Sequence, residues 1–278
     1  MGSVFSPYYA AARRRGEALA ADHCAVNLAL YGAGGHRWAM TERGAVQLDR
    51  SADHLAIGPS QLHWRGDRLV IDVDEITAPW PSRLRGRIEL QARCLTGIDL
   101  TLDAAGRHHW TPIAPSARVT VALDRPGLHW SGHGYLDANA GSRPLEQDFA
   151  TWSWCRAGLA DGREGREGRT AVTYDVQRLD GSTQALALAI DVDGGMQMLE
   201  PPPAATLAPG WWGVDRPVRG TDPRLLLAME DGPFYNRSLI ETTLCGERVR
   251  AVHESLSLLR FRQRWVQALL PFKMPRRA

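Results

Sequence analysis

The chain has 278 residues, 44% hydrophobic and 23% charged, which suits one large or two moderate globular domains. A net charge of +2, from 33 Lys and Arg against 31 Asp and Glu, gives no electrostatic case for a nucleic-acid partner. Cys24, Cys94, Cys155 and Cys245 form no CxxC pair, no run approaches the roughly 20 apolar residues of a membrane span, and Met1–Pro7 lacks the regions of a secretory leader. A disulfide framework, a structural zinc and an integral membrane helix are not expected, and a cytoplasmic location is.

Taken in order, Phe5-Ser6-Pro7-Tyr8-Tyr9 leads into Ala10–Ala21, whose Ala, Arg and Glu content predicts one short helix. β signals follow. Ala25–Tyr31 and Arg37–Thr41 flank Gly32-Ala33-Gly34-Gly35, the turn chemistry of a hairpin. His54–Ile57, Gln61–Trp64 and Arg68–Val73 read as a meander, and Arg83–Arg93, Ile98–Leu102, Ala117–Leu123 and Leu128–Asp137 as further strands. Between Ala138 and Asp148 the sequence turns polar with Gly and Pro, so the chain is expected to divide into residues 1–145 and 146–278.

The second part opens on Phe149–Arg156, and residues 161–169 read as a charged, mobile loop tip. Thr170–Leu179 and Ser182–Val192 flank Asp180-Gly181, a hairpin signal. Trp211–Val218, Arg224–Met229, Phe234–Cys245 and Arg248–Ser257 complete the strands. Leu256–Leu270 is apolar but carries Arg260, Arg262 and Arg264, and predicts a short C-terminal helix before Lys273, Arg276 and Arg277. That segment either caps a barrel end or docks on an anionic membrane surface. Many short strands and few helices make the fold class all-β, a sandwich or a barrel.

The chemistry gathers between Gly106 and Ala157. Alternate side chains of a strand share a face. An extended 129–137 therefore puts His129, Ser131, His133, Tyr135 and Asp137 on one side, with Trp130, Gly132, Gly134 and Leu136 on the other. His108 and Trp110 share a face in the same way. Imidazoles, a phenol and a carboxylate on one face point to acid–base chemistry, with no nucleotide signature. Trp130, on the opposite side, reads as core. Trp110, Trp152 and Trp154 each have a plain core reading too, and Asp137 alone could simply open a turn.

Three motifs carry a resemblance: Gly2-Ser3-Val4-Phe5-Ser6-Pro7-Tyr8-Tyr9, then Tyr31-Gly32-Ala33-Gly34-Gly35 with Trp38-Ala39-Met40-Thr41-Glu42-Arg43-Gly44, then Gly132-His133-Gly134-Tyr135-Leu136-Asp137. Over essentially its whole length the chain resembles the carotenoid 1,2-hydratases, or hydroxyneurosporene synthases, of purple photosynthetic bacteria. The resemblance implies two lipocalin-like β-barrel domains and a cofactor-independent addition of water to the terminal C1=C2 bond of an acyclic carotenoid such as neurosporene or lycopene. It also implies an active site of His108, Trp110, Tyr135 and Asp137. His133, Trp152 and Trp154 are expected to line the substrate.

Protonation of C2 leaves a tertiary cation at C1, so the reaction needs a strong, positioned acid. A buried Asp137 with a raised pKa fits that role. Trp110 and Tyr135 can face the cation, and His108 can hold the water and take its proton. Three rivals remain at this point. One is a metal site from His108, His129, His133 and Asp137, which lacks a tight ligand spacing. The others are a non-catalytic lipophile carrier and a cyclase or pericyclase on the same scaffold. Through the basic, apolar C-terminal segment, peripheral contact with the cytoplasmic or intracytoplasmic (photosynthetic) membrane is expected.

Overall fold

A computed structural model describes residues 4–16, 18–32, 36–160 and 167–277. Residues 33–35 of the first turn and 161–166 of the charged loop lie outside them. The single early helix, α1 (Pro7–Arg15), is set by its ends: the Ser6 hydroxyl accepts from the Tyr9 amide at 2.9 Å, Pro7 fills the first turn, and Gly16 closes it at φ 81°. It starts and stops earlier than the Ala/Arg content suggests, because caps rather than propensity decide the bounds.

Strands then dominate. β1 (Asn27–Leu30) pairs antiparallel with β2 (Arg37–Met40), followed by β3 (Glu42–Arg43). β4 (Leu48–Arg50), β5 (His54–Ile57), β6 (Ser60–Arg65), β7 (Arg68–Ile76) and β8 (Arg83–Ala92) form an antiparallel meander. After β9 (Leu100–Thr101) come two long strands, β10 (His108–Arg125) and β11 (Leu128–Gly141). Next follow β12 (Phe149–Ala160), β13 (Glu167–Arg178), β14 (Thr183–Ile190) and β15 (Met196–Met198). The hairpin β16 (Ala204–Leu207) and β17 (Arg216–Arg219) precedes β18 (Thr221–Asp231), β19 (Tyr235–Leu244) and β20 (Glu247–Ser257). The chain ends on α2 (Leu258–Phe261), α3 (Arg264–Leu269) and β21 (Arg276–Arg277), which pairs parallel with β3.

The expected single helix over Leu256–Leu270 is not formed. Leu256 and Ser257 finish β20, and the Ser257 hydroxyl caps α2 by accepting from the Arg260 amide. β10 is longer than the sequence suggests, running through Pro112 and Pro115. Those prolines fall between the residues bonded to β9 (His109, Trp110) and those bonded to β8 (from Ala117), where neither ladder needs their missing N–H.

Two compact units result. One comprises Met1–Ala92, Ala117–Gly134 and Arg264–Ala278, the other Arg93–Ser116 and Tyr135–Gln263. The first unit's sheet has the order β11-β10-β8-β7-β6-β5-β4. Val73, Val121 and Leu123 form its apolar centre, with Leu28, Leu30, Ile71 and Ile88 packed against them. The Thr41–Gly44 motif supplies an ion network beside this core. Arg43 grips Glu75 with two nitrogens at 2.8 and 3.1 Å, and Ser60 donates to the same carboxylate at 2.7 Å. Gly58, at φ 60°, lets the Arg43 side chain pass; a Cβ there would lie 2.3 Å from Arg43 Nε. Glu42, also buried, binds His23 at 2.8 Å and Arg276, which ties the C-terminal strand into the unit.

The second unit's sheet has the order β15-β14-β13-β12-β20-β19-β18. Cys155, Ala157, Leu159, Ala171, Ile240 and Ala251 make one apolar face, covered by Leu207 and Val218 of the β16–β17 hairpin. The opposite face carries Trp152, Trp154 and Tyr174. The protein is thus mostly β, as expected, but no closed barrel is found among the described residues: β4 and β11, and β15 and β18, remain free ends of their ladders.

Candidate active site

One cross-strand row of the second sheet builds the site's floor. Trp154 of β12 pairs with Tyr174 of β13 on one side and Glu254 of β20 on the other. Arg237 of β19 is the next residue of that row, opposite Glu254, and Leu186 of β14 extends it past Tyr174. Period-two alternation puts Trp152, two residues back on β12, on the same face.

Over this floor lie the parts of β10 and β11 that belong to the second unit. The Trp110 ring packs on Tyr174 at 5.3 Å between centroids, and Tyr174 also meets Trp152 at 5.6 Å. The Tyr135 ring packs on Trp154 at 5.5 Å, with the Arg156 guanidinium 5.4 Å from the Tyr135 ring centre. Between them stands Asp137. Its Oδ2 accepts from Trp110 Nε1 at 2.8 Å and from the Tyr135 hydroxyl at 3.1 Å. Tyr174, buried, donates its own hydroxyl to Asn139 Oδ1 at 2.8 Å.

Charge states follow from this packing. Burial lifts the Asp137 carboxyl above its ordinary 3.8, and the nearby Glu254 charge adds to the rise. The hydrogen bonds from Trp110 and Tyr135 favour the anion but do not cancel that effect. Burial, with the Asp137 charge second, pushes Tyr135 well above the usual phenol range, and burial does the same to Tyr174. Both hydroxyls therefore stay protonated donors. The arrangement is a carboxyl group with a raised pKa, held from one side by two donors over an aromatic floor.

The expected residues are not all brought together. Trp110, Tyr135, Asp137, Trp152 and Trp154 share this cluster. His108, fully buried, has another partner: its Nε2 lies 2.8 Å from Asp148 Oδ2, and Asp148 also pairs with Arg107 at 2.9 Å and Arg143 at 3.4 Å. Its Nδ1 finds no hydrogen-bond partner among the described residues and faces Gly141, where a Cβ would come within 2.7 Å. His133 is exposed and stands in the portion of β11 that belongs to the first unit.

Trp130, read as core, is 46% exposed. Gly134, on its side of the strand, gives way to protein rather than to a ligand: Val119, Ala117 and Leu90 fill the space a side chain would need. Sequence reasoning missed Tyr174, Asp148, Glu254 and Arg237. A signal existed for Glu254, since it interrupts the otherwise apolar alternation Val252, Glu254, Leu256.

No group of three or more His, Cys, Asp or Glu side chains among the described residues is arranged to hold a metal ion. No helix among them is long and apolar enough to cross a membrane.

Comparison with known proteins shows the family. Residues 1–278 match the family profile described as carotenoid hydratase CrtC. The acyclic carotenoid 1,2-hydratase of Thiocapsa roseopersicina is 50% identical over 99% of this chain and 67% of its own length. That of Cereibacter sphaeroides is 43% identical over 100% of this chain and 96% of its own length, and that of Rubrivivax gelatinosus 42% over 100% and 68%. No solved structure matches the chain. From end to end, the chain belongs to the carotenoid hydratase CrtC family.

Proposed function

We propose that this protein adds water across the terminal C1=C2 double bond of an acyclic carotenoid, giving a tertiary 1-hydroxy product, with Asp137 as the acid. The single observation that carries the assignment is the double hydrogen bond to Asp137 Oδ2 within an aromatic enclosure that raises its pKa. Oδ1 then carries the proton. As the C2–H bond forms, positive charge gathers at C1, and the rings of Trp110, Tyr135 and Trp154 are the groups to stabilise it, at about 2 kcal/mol or more for a desolvated cation–π contact. Trp110 and Tyr135 meanwhile steady the carboxylate left behind. His108, its ring fixed through Asp148, is the imidazole placed to hold the attacking water. Trp152 and Tyr174 extend the apolar wall along the polyene. His133 keeps a place only as an outer substrate contact.

The second unit supports a lipocalin-like reading. β12, β13, β14 and β15 follow in chain order across its sheet, as do β18, β19 and β20, and the last strand, β20, pairs with the first, β12. Peripheral membrane contact belongs to the same proposal. Trp265, Leu269 and Phe272 stand exposed beside Arg264, an apolar and basic combination suited to an anionic lipid surface.

Incubation with lycopene or neurosporene in liposomes, followed by mass analysis, is expected to show the gain of one water, with its oxygen drawn from solvent. Asp137→Asn is expected to abolish that gain while carotenoid binding persists. Hydration by Asp137→Asn at the wild-type rate would overturn the acid assignment.

A further inference from the structure

The floor of the site holds a second carboxylate that the reaction above leaves without a role. Glu254 stands directly across from Trp154, one strand away, on the face that Tyr135 and Asp137 cover. It lies close enough to Asp137 and to Tyr174 for its charge to act on both. Arg237, its cross-strand neighbour, holds it through Nε at 2.9 Å and Nη2 at 2.7 Å. Both contacts fall on Oε1, which leaves Oε2 out of the Arg237 pairing. Beside it, the Trp154 Nε1–H is buried and has no hydrogen-bond partner among the described residues, although an indole N–H taken out of water ordinarily finds one.

Hydration needs a proton acceptor as well as a donor, since the attacking water must lose a proton as its oxygen bonds to C1. Asp137 becomes a carboxylate once its proton has gone to C2, with Oδ2 already accepting from Trp110 and Tyr135; a second carboxylate can take the water proton without Asp137 reversing its role. His108 has one nitrogen committed to Asp148 and lies on the far side of Trp110 along β10. Glu254 and the Trp154 N–H form the complementary pair: the indole donates to a water oxygen while the carboxylate accepts one of its hydrogens.

Resting on the Asp137 reading, we propose that Glu254 is the general base of the hydration, taking the proton of the water that Trp154 helps to hold. The Asp137 O–H bond and the π bond break as C2–H forms; then C1–O forms, a water O–H breaks, and its proton passes to Glu254 Oε2. One proton returned from Glu254 to Asp137 through water restores the starting state. Two carboxyl groups thus divide the acid and base roles, and the base moves from the imidazole expected from the sequence to β20.

The test compares wild type, Glu254→Ala, Glu254→Gln and Asp137→Asn on lycopene, with and without sodium formate, a small carboxylate able to occupy the space Ala leaves. Both Glu254 variants are expected to lose about 100-fold or more in kcat with KM little changed. Formate should restore part of the rate of Glu254→Ala and none of that of Glu254→Gln, whose amide fills the space. Asp137→Asn should stay inactive under every condition. Glu254→Gln keeps an acceptor for Arg237, so it serves should Glu254→Ala fail to fold; in that case a slow Glu254→Gln with wild-type near-UV circular dichroism and unchanged KM supports the proposal. Retention of kcat to within about threefold in either variant overturns it. So does a folded Glu254→Ala that is slow yet indifferent to formate. Turnover by Asp137→Asn instead overturns the acid assignment beneath it.

Discussion

Trp110 Nε1 and the Tyr135 hydroxyl converge on a single oxygen of Asp137, at 2.8 and 3.1 Å, from two different strands. Each donor therefore supports the same atom, and the loss of either leaves the other in place. Trp110→Phe and Tyr135→Phe are each expected to lower kcat by about tenfold or more, the worth of one hydrogen bond to a charged group. The double variant should fall by less or more than the product of the two, since both act on one acceptor. A double-mutant cycle on kcat with lycopene checks this.

The raised pKa of Asp137 sets the pH dependence. With Asp137 as the proposed acid, kcat is expected to fall as pH rises through that pKa. Stability follows the same direction: above the unfolded value near 3.8 the unfolded chain releases this proton while the folded chain keeps it, so folding weakens until the folded pKa is passed. Asp137→Asn removes that penalty. Its melting temperature should exceed that of wild type at alkaline pH, and the difference should shrink toward pH 4.

His253 acts on the other side of the pH scale. Burial depresses its pKa from 6.5 to about 4, and its Nε2 donates to the Pro217 carbonyl. The unfolded chain thus takes up a proton below pH 6.5 that the folded chain refuses until about 4. Stability is expected to fall by about 3 kcal/mol across that window, and His253→Gln to flatten the slope. Urea unfolding at several pH values reads it.

Gly141 lies tight against His108, and Gly141→Ala would put a methyl group 2.7 Å from its Nδ1. We expect a loss of about 1–3 kcal/mol in urea unfolding, the usual cost of overpacking. A fall in kcat should accompany it as the His108 ring is pushed off Asp148.

Arg43 and Glu75 are both buried and joined by two bonds. Arg43→Met leaves a buried carboxylate with Ser60 alone and is expected to cost about 3–5 kcal/mol, much of which Arg43→Met with Glu75→Met should recover. Denaturant midpoints for the single and double variants decide it.

Strand positions were legible because Gly and polar turns bracket runs of period two, as in Arg248–Ser257 and around Asp180-Gly181. The pairing of Trp110 with Asp137 was legible in part, since parity puts His108 with Trp110 and Tyr135 with Asp137. Parity says which side chains share a face and not what covers it. Along β11 the same face is exposed at His129, Ser131 and His133 and covered at Tyr135 and Asp137, so His133 looked as good a site residue as its neighbours. Trp130 misled for the same reason. Glu254 and Arg237 face Trp154 only through the register of strands some 80 to 100 residues away, which no local pattern encodes. The C-terminal segment fooled periodicity because Ser257 switches strand to helix in the middle of one apolar run.

The convergence of both donors on Oδ2 reaches beyond rate. With that oxygen pinned, the proposed transfer from Asp137 runs from Oδ1 in one fixed direction, toward one prochiral side of the flat alkene. Turnover in heavy water should thus install deuterium at C2 in a single configuration, so the product made from an unlabelled polyene would be isotopically chiral at a carbon that ordinarily is not.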